Sequence, residues 1–177
     1  MKKLLLCFVL LSNLFYVTEA KAFNPTQDII TFQKYPDVKQ MKEASDLIGY
    51  GEIGAVLNKY DTHRTVSQGK LFNFVQRYKI TQGIKGKPQT VSLMITGVEP
   101  LPSPRDPINA VYPGPLASGH YIMFLNKIDG TPYYRMTGGW QGIYPVIQGT
   151  SIALYNEGFP ELNRLTPEQF RNKIQSE

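Results

Sequence analysis

Apolar and polar residues alternate along several stretches of the chain, and this two-residue period predicts a mostly β protein. The segment 121–126 is largely apolar on both of its alternating faces, as expected for a strand that is buried on two sides. Asp129-Gly130 suits the two positive φ angles of a type I′ hairpin, with a partner strand beginning at Tyr133. A second hairpin is predicted around Gln148-Gly149. We therefore interpret residues 119–155 as a meander of short strands.

Three more strands are predicted before this meander. The segment 46–58 alternates but contains three glycines, which indicates bends or close packing against another strand. A polar connection over 58–68 leads to the clearest amphipathic strand, 70–80, in which Phe72, Phe74, Tyr78 and Ile80 form the apolar face and Asn73 belongs to the polar face. A turn at 83–87 then leads to a strand over 89–96.

The pattern also predicts two helices. Residues from Asp37 to Leu47 approximate helical spacing, so a short helix is expected after the arm 23–33. At the C-terminus, Thr166 is a candidate N-cap, Pro167 suits the first helical position and Gln169 has capping-box spacing. A C-terminal helix is therefore predicted over 166–175.

The segment 98–118 lacks any such period and is predicted to be a long irregular loop. Six prolines interrupt it, and proline removes a backbone donor and restrains φ. They are Pro100, Pro102, Pro104, Pro107, Pro113 and Pro115. A loop of this length is either functional or an insertion packed on the surface, and the sequence leaves both interpretations open.

The N-terminus predicts an export signal. Two lysines precede an apolar run over 4–15, and Ala20 and Ala22 are small residues suited to cleavage. The apolar run is shorter than the roughly 20 residues of a membrane-spanning helix, so a retained anchor is the weaker alternative. We interpret residues 1–22 as a signal peptide cleaved near Ala22, and residues 23–177 as a single domain that is secreted or held in the cell envelope.

Loss of residues 1–22 changes the composition in two useful ways. Cys7 is the single cysteine, so the mature chain is expected to be free of disulfides, which favours a bacterial source. Three lysines and one glutamate are also lost, which lowers the formal net charge from +5 to +3. A charge this small is not typical of nucleic-acid binding. A monomer with no membrane span after cleavage is expected.

Residue types that carry catalysis or metal binding are present but scattered. His63 and His120 have none of the spacings of metal ligands. The carboxylates of Asp61, Glu99 and Asp106 fall in predicted connections, and no pair is placed toward a common cleft. We therefore predict no catalytic residue, no metal and no cofactor.

Aromatic residues near the loop and the meander are the best candidates for ligand contact, because they offer large areas that stack on sugars or on partner side chains. The candidates are Tyr112, Tyr133, Tyr134, Trp140 and Tyr144. If the protein has a binding surface, we expect the loop 98–118 and the turn around Trp140 to form it together. Packing in the core is the alternative for each of them, and for Trp140 it is the favoured one.

The successive motifs DLIGYGEIGAVL, FNFVQRYKITQGIKG, SGHYIMFLNKIDG and YYRMTGGWQGIY resemble a domain of unknown function in secreted bacterial proteins. More distantly, they resemble the netrin-like module of tissue inhibitors of metalloproteases. The resemblance covers about Asp46 to Tyr144 and implies a small OB-like β-barrel of five strands. Together with the pattern above, the expected fold is this barrel with a short N-terminal helix and a C-terminal helix. That family inhibits through a disulfide-tethered N-terminal cysteine, which this chain lacks after Cys7, so the inhibitory mechanism is not implied.

These observations favour a secreted binding or interaction module whose ligand is a protein or a cell-envelope polymer. Two alternatives remain open. One is a hydrolase with a carboxylate-based site in the loop 98–118, and the other is a structural protein of the envelope.

Overall fold

The computed structural model of the protein describes residues 22–177, so the predicted signal peptide lies, apart from Ala22, outside the described residues. The strands are β1 (Leu47–Val66), β2 (Gly69–Lys85), β3 (Thr90–Glu99), β4 (Gly119–Lys127), β5 (Tyr133–Met136), β6 (Ile143–Ile147) and β7 (Thr150–Ser151), and the helices are α1 (Val38–Ala44), α2 (Ile108–Val111) and α3 (Pro167–Ser176). The predicted mostly β class is confirmed.

Five of the strands are hydrogen-bonded in a ring. The order around it is β1-β2-β3-β5-β4, and β4 pairs again with β1. Every pairing in the ring is antiparallel except β3 with β5, which is parallel. β6 adds to β4, and β7 pairs with β6.

The meander predicted over 119–155 is therefore wrong in its connectivity. β4 and β5 form the expected hairpin, but β5 lies between β4 and β3, and β6 pairs with β4. The turn is also different, because Gly130 has a positive φ whereas Asp129 does not. Gln148 and Gly149 both have positive φ, as a type I′ hairpin requires.

The predicted connection at 58–68 is mostly strand. β1 continues to Val66 and pairs with β2 over this whole stretch, with register shifts that mark bulges. The side chains of this part of β1 are largely exposed, so the alternation of apolar and polar residues that predicts a strand is weak there. Backbone pairing with β2 defines the strand instead.

The core consists of three clusters. One lies on the shared face of the ring strands, and the other two lie on the opposite face of different strands. One face of each ring strand contributes to a shared cluster that includes Ile53, Tyr78, Leu93 and Met123. The opposite face of β1 and β4 packs against α1, α3 and β6. On β2 and β3, the opposite face is covered by the N-terminal arm through Ile30.

Both predicted terminal helices are present. Asp37 caps α1, and the Nζ of Lys85 donates to the Lys42 carbonyl at the C-terminal end of that helix, 2.9 Å away. The capping box of Thr166 and Gln169 is formed at the start of α3.

Within the described residues, no helix is long and apolar enough to cross a membrane.

Candidate functional site

The proline-rich loop and the turn around Trp140 meet at one surface. The indole Nε1 of Trp140 donates a hydrogen bond to the backbone carbonyl of Asn109, 2.7 Å away, and Asn109 lies in α2 within the loop. The loop is braced locally, because Asp106 Oδ1 accepts from the Ile108 N–H and Asn109 Nδ2 donates to the Ser103 carbonyl. The loop segment beside Trp140 is thus ordered by its own side chains.

The glycines before Trp140 let the turn approach the N-terminal arm. Gly138 and Gly139 both have positive φ, which side-chain-bearing residues rarely adopt. A Cβ at Gly139 would lie 2.9 Å from the ring of Phe32. Beyond Trp140, the Gln141 amide accepts from the N–H of Tyr35 and donates to its carbonyl, at 2.8 and 3.1 Å. The turn therefore holds the arm in place and fixes the orientation of Trp140.

Two adjoining clefts have Trp140 in their lining. The first, of about 240 Å³, is lined by Phe32, Lys34, Tyr112 and neighbouring residues. The second, of about 340 Å³, lies against the loop and the segment that follows β7, and it is lined by Pro104, Arg105, Asp106, Asn109, Ala110, Trp140, Leu154 and Glu157. Trp140, Ala110 and Glu157 line both clefts. We refer to the two together as the Trp140 cleft.

The carboxylates of the Trp140 cleft already have partners. Glu157 forms an ion pair with Lys34 at 3.0 Å across the first cleft. Asp106 accepts the Ile108 N–H at 2.9 Å. The arrangement is thus a partly buried aromatic ring beside the Lys34–Glu157 ion pair, Arg105 and Pro104, which suits contact with a ligand more directly than proton transfer.

The five predicted aromatic residues do not share one surface. Trp140 and Tyr112 line the Trp140 cleft, and Trp140 also packs against the core cluster that is shared by the ring strands, as the favoured alternative for it predicted. Tyr133 lies elsewhere, with its hydroxyl 2.8 Å from that of Tyr60, and Tyr134 packs against the core cluster that is shared by the ring strands.

Tyr144 belongs to the core. It is fully buried, and its hydroxyl oxygen accepts a hydrogen bond from the Phe159 N–H at 3.1 Å. Burial raises the pKa of the Tyr144 hydroxyl above its ordinary value. The ring is therefore inaccessible to a ligand. Strand periodicity alone did not reveal this, because Tyr144 lies on the face of β6 that α3 covers.

The histidines show no metal-binding geometry. His120 stacks on Tyr50 with ring centroids 5.8 Å apart, and exposed His63 lies beside Asp61. In the part of the chain that the structure describes, no three His, Cys, Asp or Glu side chains are grouped to hold a metal ion.

Outside the loop 98–118 and the turn around Trp140, sequence reasoning missed the cleft residues of the N-terminal arm and of the segment after β7, namely Thr31, Phe32, Lys34, Leu154 and Glu157. The three arm residues are distant from Trp140 in sequence, and no periodic pattern marks any of the five. The Gly138-Gly139 pair was the available signal, since adjacent glycines indicate a close approach by another segment.

No protein-family model, curated protein or solved structure matches this chain.

Proposed function

We propose that the protein is a binding module of the OB type, and that the Trp140 cleft is its contact surface. The ring order β1-β2-β3-β5-β4 with a parallel β3–β5 pair supports this, because that order is the one expected of a five-stranded Greek-key barrel. The observation that carries the function is that Trp140 lines two adjoining clefts, with the proline-rich loop contributing to their walls.

The chemistry of the cleft favours a ligand with flat, weakly polar faces. The indole N–H of Trp140 is already used by Asn109, so the ring offers its face and edge for stacking rather than its donor. Lys34, Arg105 and Glu157 supply polar contacts around it. Sugars of an envelope polymer and side chains of a protein both have this character. Prolines in the loop limit the conformational entropy that is lost on binding.

A carboxylate-dependent hydrolase is the second candidate function, since Asp106 and Glu157 line the same cleft. Binding is favoured over hydrolysis because both carboxylates are committed to structural partners. If the protein cleaves an envelope polymer, Asp106→Asn and Glu157→Gln abolish product formation while leaving attachment to the polymer intact.

We further propose that the module acts outside the cytoplasm, in the secreted or envelope fraction. The support is the N-terminal pattern of two lysines, an apolar run and small residues up to Ala22.

The test of the binding proposal is capture on two supports, one carrying purified cell-envelope polymer and one carrying envelope proteins. We expect retention on one of them and at least a tenfold loss of affinity for Trp140→Ala. Trp140→Phe keeps a ring without the N–H and should retain most of the binding. Tyr155→Ala is the control, because Tyr155 is 90% exposed and lines neither cleft.

Folding of each variant is checked by its thermal unfolding transition. If folded Trp140→Ala binds as tightly as the parent, the contact surface lies elsewhere. If neither support retains the parent protein, the binding function itself is rejected and a structural role in the envelope becomes the better interpretation.

A further inference from the structure

A third cleft adjoins the Trp140 cleft at the N-terminal arm. It measures about 240 Å³ and is polar, with Gln33, Asn126, Arg135 and Thr137 among the residues that line it. Thr31 and Phe32 of the arm, together with Gly138, line both this cleft and the Trp140 cleft. We call this one the Arg135 cleft.

Strand pairing brings its polar side chains together. Asn126 of β4 lies directly opposite Arg135 of β5 in the antiparallel register, so the two side chains share one face of the sheet, with Cβ atoms about 5 Å apart. Thr137 is two residues beyond Arg135, and its N–H bonds to the Phe124 carbonyl at 2.8 Å, which continues the pairing with β4. Alternation therefore places Thr137 on the same face.

Each of these three side chains has unused hydrogen-bonding capacity. Arg135 is exposed, and within residues 22–177 no carboxylate forms an ion pair with it. Asn126 Oδ1 accepts from the Asp46 N–H at 3.1 Å, whereas no bond from its amide nitrogen to another described residue is formed. Thr137 is 2% exposed, and its hydroxyl has no partner among the described residues.

The charge of the cleft is positive. Arg135 is the single charged side chain among the residues that line it. The carboxylate of Asp46, whose N–H bonds to Asn126, accepts from the Lys127 N–H at 2.8 Å, and Asp46 does not line the cleft.

We propose that the Arg135 cleft is an oxyanion-binding site that accepts a carboxylate or phosphate group. Two oxygens of such a group match the planar fork of the Arg135 guanidinium. The Asn126 amide supplies a further donor beside it, and the buried Thr137 hydroxyl gains the partner it lacks. The proposal rests on this face of β4 and β5 and does not depend on the role of the Trp140 cleft.

The test is an NMR titration of the isotopically labelled protein with sodium phosphate and, separately, with sodium acetate, at ionic strength held constant with chloride. We expect saturable shifts confined to the amides of residues 126 and 135–138. Arg135→Gln should raise the dissociation constant at least tenfold. Arg77→Gln is the matched control, since Arg77 is also exposed but lies on β2 and lines none of the clefts described above, and it should bind like the parent.

The relative affinities of phosphate and acetate identify which oxyanion the cleft prefers. The proposal would be overturned, and adventitious ion binding indicated, by any of three results. The shifts do not saturate, they appear equally around other surface cations, or they persist in Arg135→Gln.

Thr137→Val tests the part assigned to the hydroxyl. The variant keeps the shape of the side chain, so we expect an unchanged or higher melting temperature together with a severalfold weaker affinity for the preferred oxyanion. Unchanged affinity would remove Thr137 from the site.

Discussion

The side chain of Asn73 joins the N-terminal arm to the sheet. Its Nδ2 donates to the carbonyls of Pro25 and Asp28 at 2.8 and 2.7 Å, and its Oδ1 accepts from the Thr96 hydroxyl at 2.6 Å. The Thr96 hydroxyl in turn accepts from the Ile30 N–H at 2.7 Å. Asn73 and Thr96 are fully buried, so these bonds satisfy groups that water cannot reach.

Replacement of Asn73 by Ala should lower the free energy of unfolding by about 2–3 kcal/mol, because the Pro25 and Asp28 carbonyls lose the Nδ2 donor and the Thr96 hydroxyl proton loses its acceptor. Urea unfolding measures the change. Asn172→Ala, at an exposed position of α3, should change the stability by less than about 0.5 kcal/mol. An equally small effect at Asn73 would show that the arm contributes little to stability.

The Tyr60–Tyr133 hydroxyl pair makes stability depend on pH in the alkaline range. The hydrogen bond with Tyr60 raises the pKa of Tyr133 to about 12 from an ordinary value of 10.0, and partial burial adds to the shift. Between these values the unfolded chain has lost the proton that the folded chain retains. Stability from this pair is therefore complete below about pH 10 and is lost as the pH rises toward 12.

We accordingly expect Tyr133→Phe to lose less stability than the parent between pH 10 and pH 12, although it is the less stable protein at pH 8. Urea unfolding at a series of pH values measures both slopes. Burial also raises the pKa of Tyr78 and Tyr144, so the variant retains a residual slope. Tyr155→Phe, at a 90% exposed ring, should match the parent slope; identical slopes for Tyr133→Phe and the parent would contradict the assignment.

At the scale of elements, the glycines of β1 show why this strand can pair on both sides. A Cβ at Gly51 would lie 2.2 Å from the Lys79 carbonyl oxygen of β2, a backbone atom that cannot move aside without disturbing the pairing. Gly54 differs, since its nearest neighbour, the Arg77 carbonyl oxygen, would be 3.8 Å from an added Cβ. At Gly49 an added Cβ would lie 2.5 Å from the Ile80 side chain. The close packing predicted from the three glycines therefore holds at Gly49 and Gly51 and not at Gly54.

Gly51→Ala should destabilise the protein by about 3 kcal/mol, at the upper end of the usual range for overpacking in a core. Gly54→Ala, in the same strand, should change stability by less than about 0.5 kcal/mol. Thermal unfolding of the two variants provides the comparison. Similar melting temperatures would mean that β1 shifts to accommodate the methyl group.

At the scale of the whole molecule, the arm connects the proposed processing site to the folded core. Phe23 and Phe32 pack against the cluster formed by Ile30, Val75, Met94 and Ile128. A chain trimmed after Ala22 would thus begin at Phe23, which packs against this core cluster.

We expect the protein recovered from the extracytoplasmic fraction to have the intact mass of a chain that begins at Phe23. Mass spectrometry measures this directly, with the protein produced in the cytoplasm without export as the control for an unprocessed chain. An exported protein that still carries residues 1–20 would identify the segment as an anchor.

Much of the local structure followed from the sequence alone. Local residue patterns were sufficient to predict the capping box of α3 and the hairpin at Gln148-Gly149. The alternation of apolar and polar residues was sufficient to predict β2 and β3. The proximity of the proline-rich loop to Trp140 was also predicted, as part of one surface. For that surface, however, only two lining aromatic residues, Tyr112 and Trp140, were predicted from the sequence. None of the contacts that hold the surface together was predicted.

Tertiary structure decided the features that depend on which distant segments meet. Periodicity assigns Asn73 to a polar face, but the arm covers that face and buries it. Periodicity likewise does not place β5 between β3 and β4, or Tyr144 under α3. The physical reason is that alternation reports the two faces of a single strand, whereas partners, register and the cover over each face are set by packing between elements that are far apart in sequence.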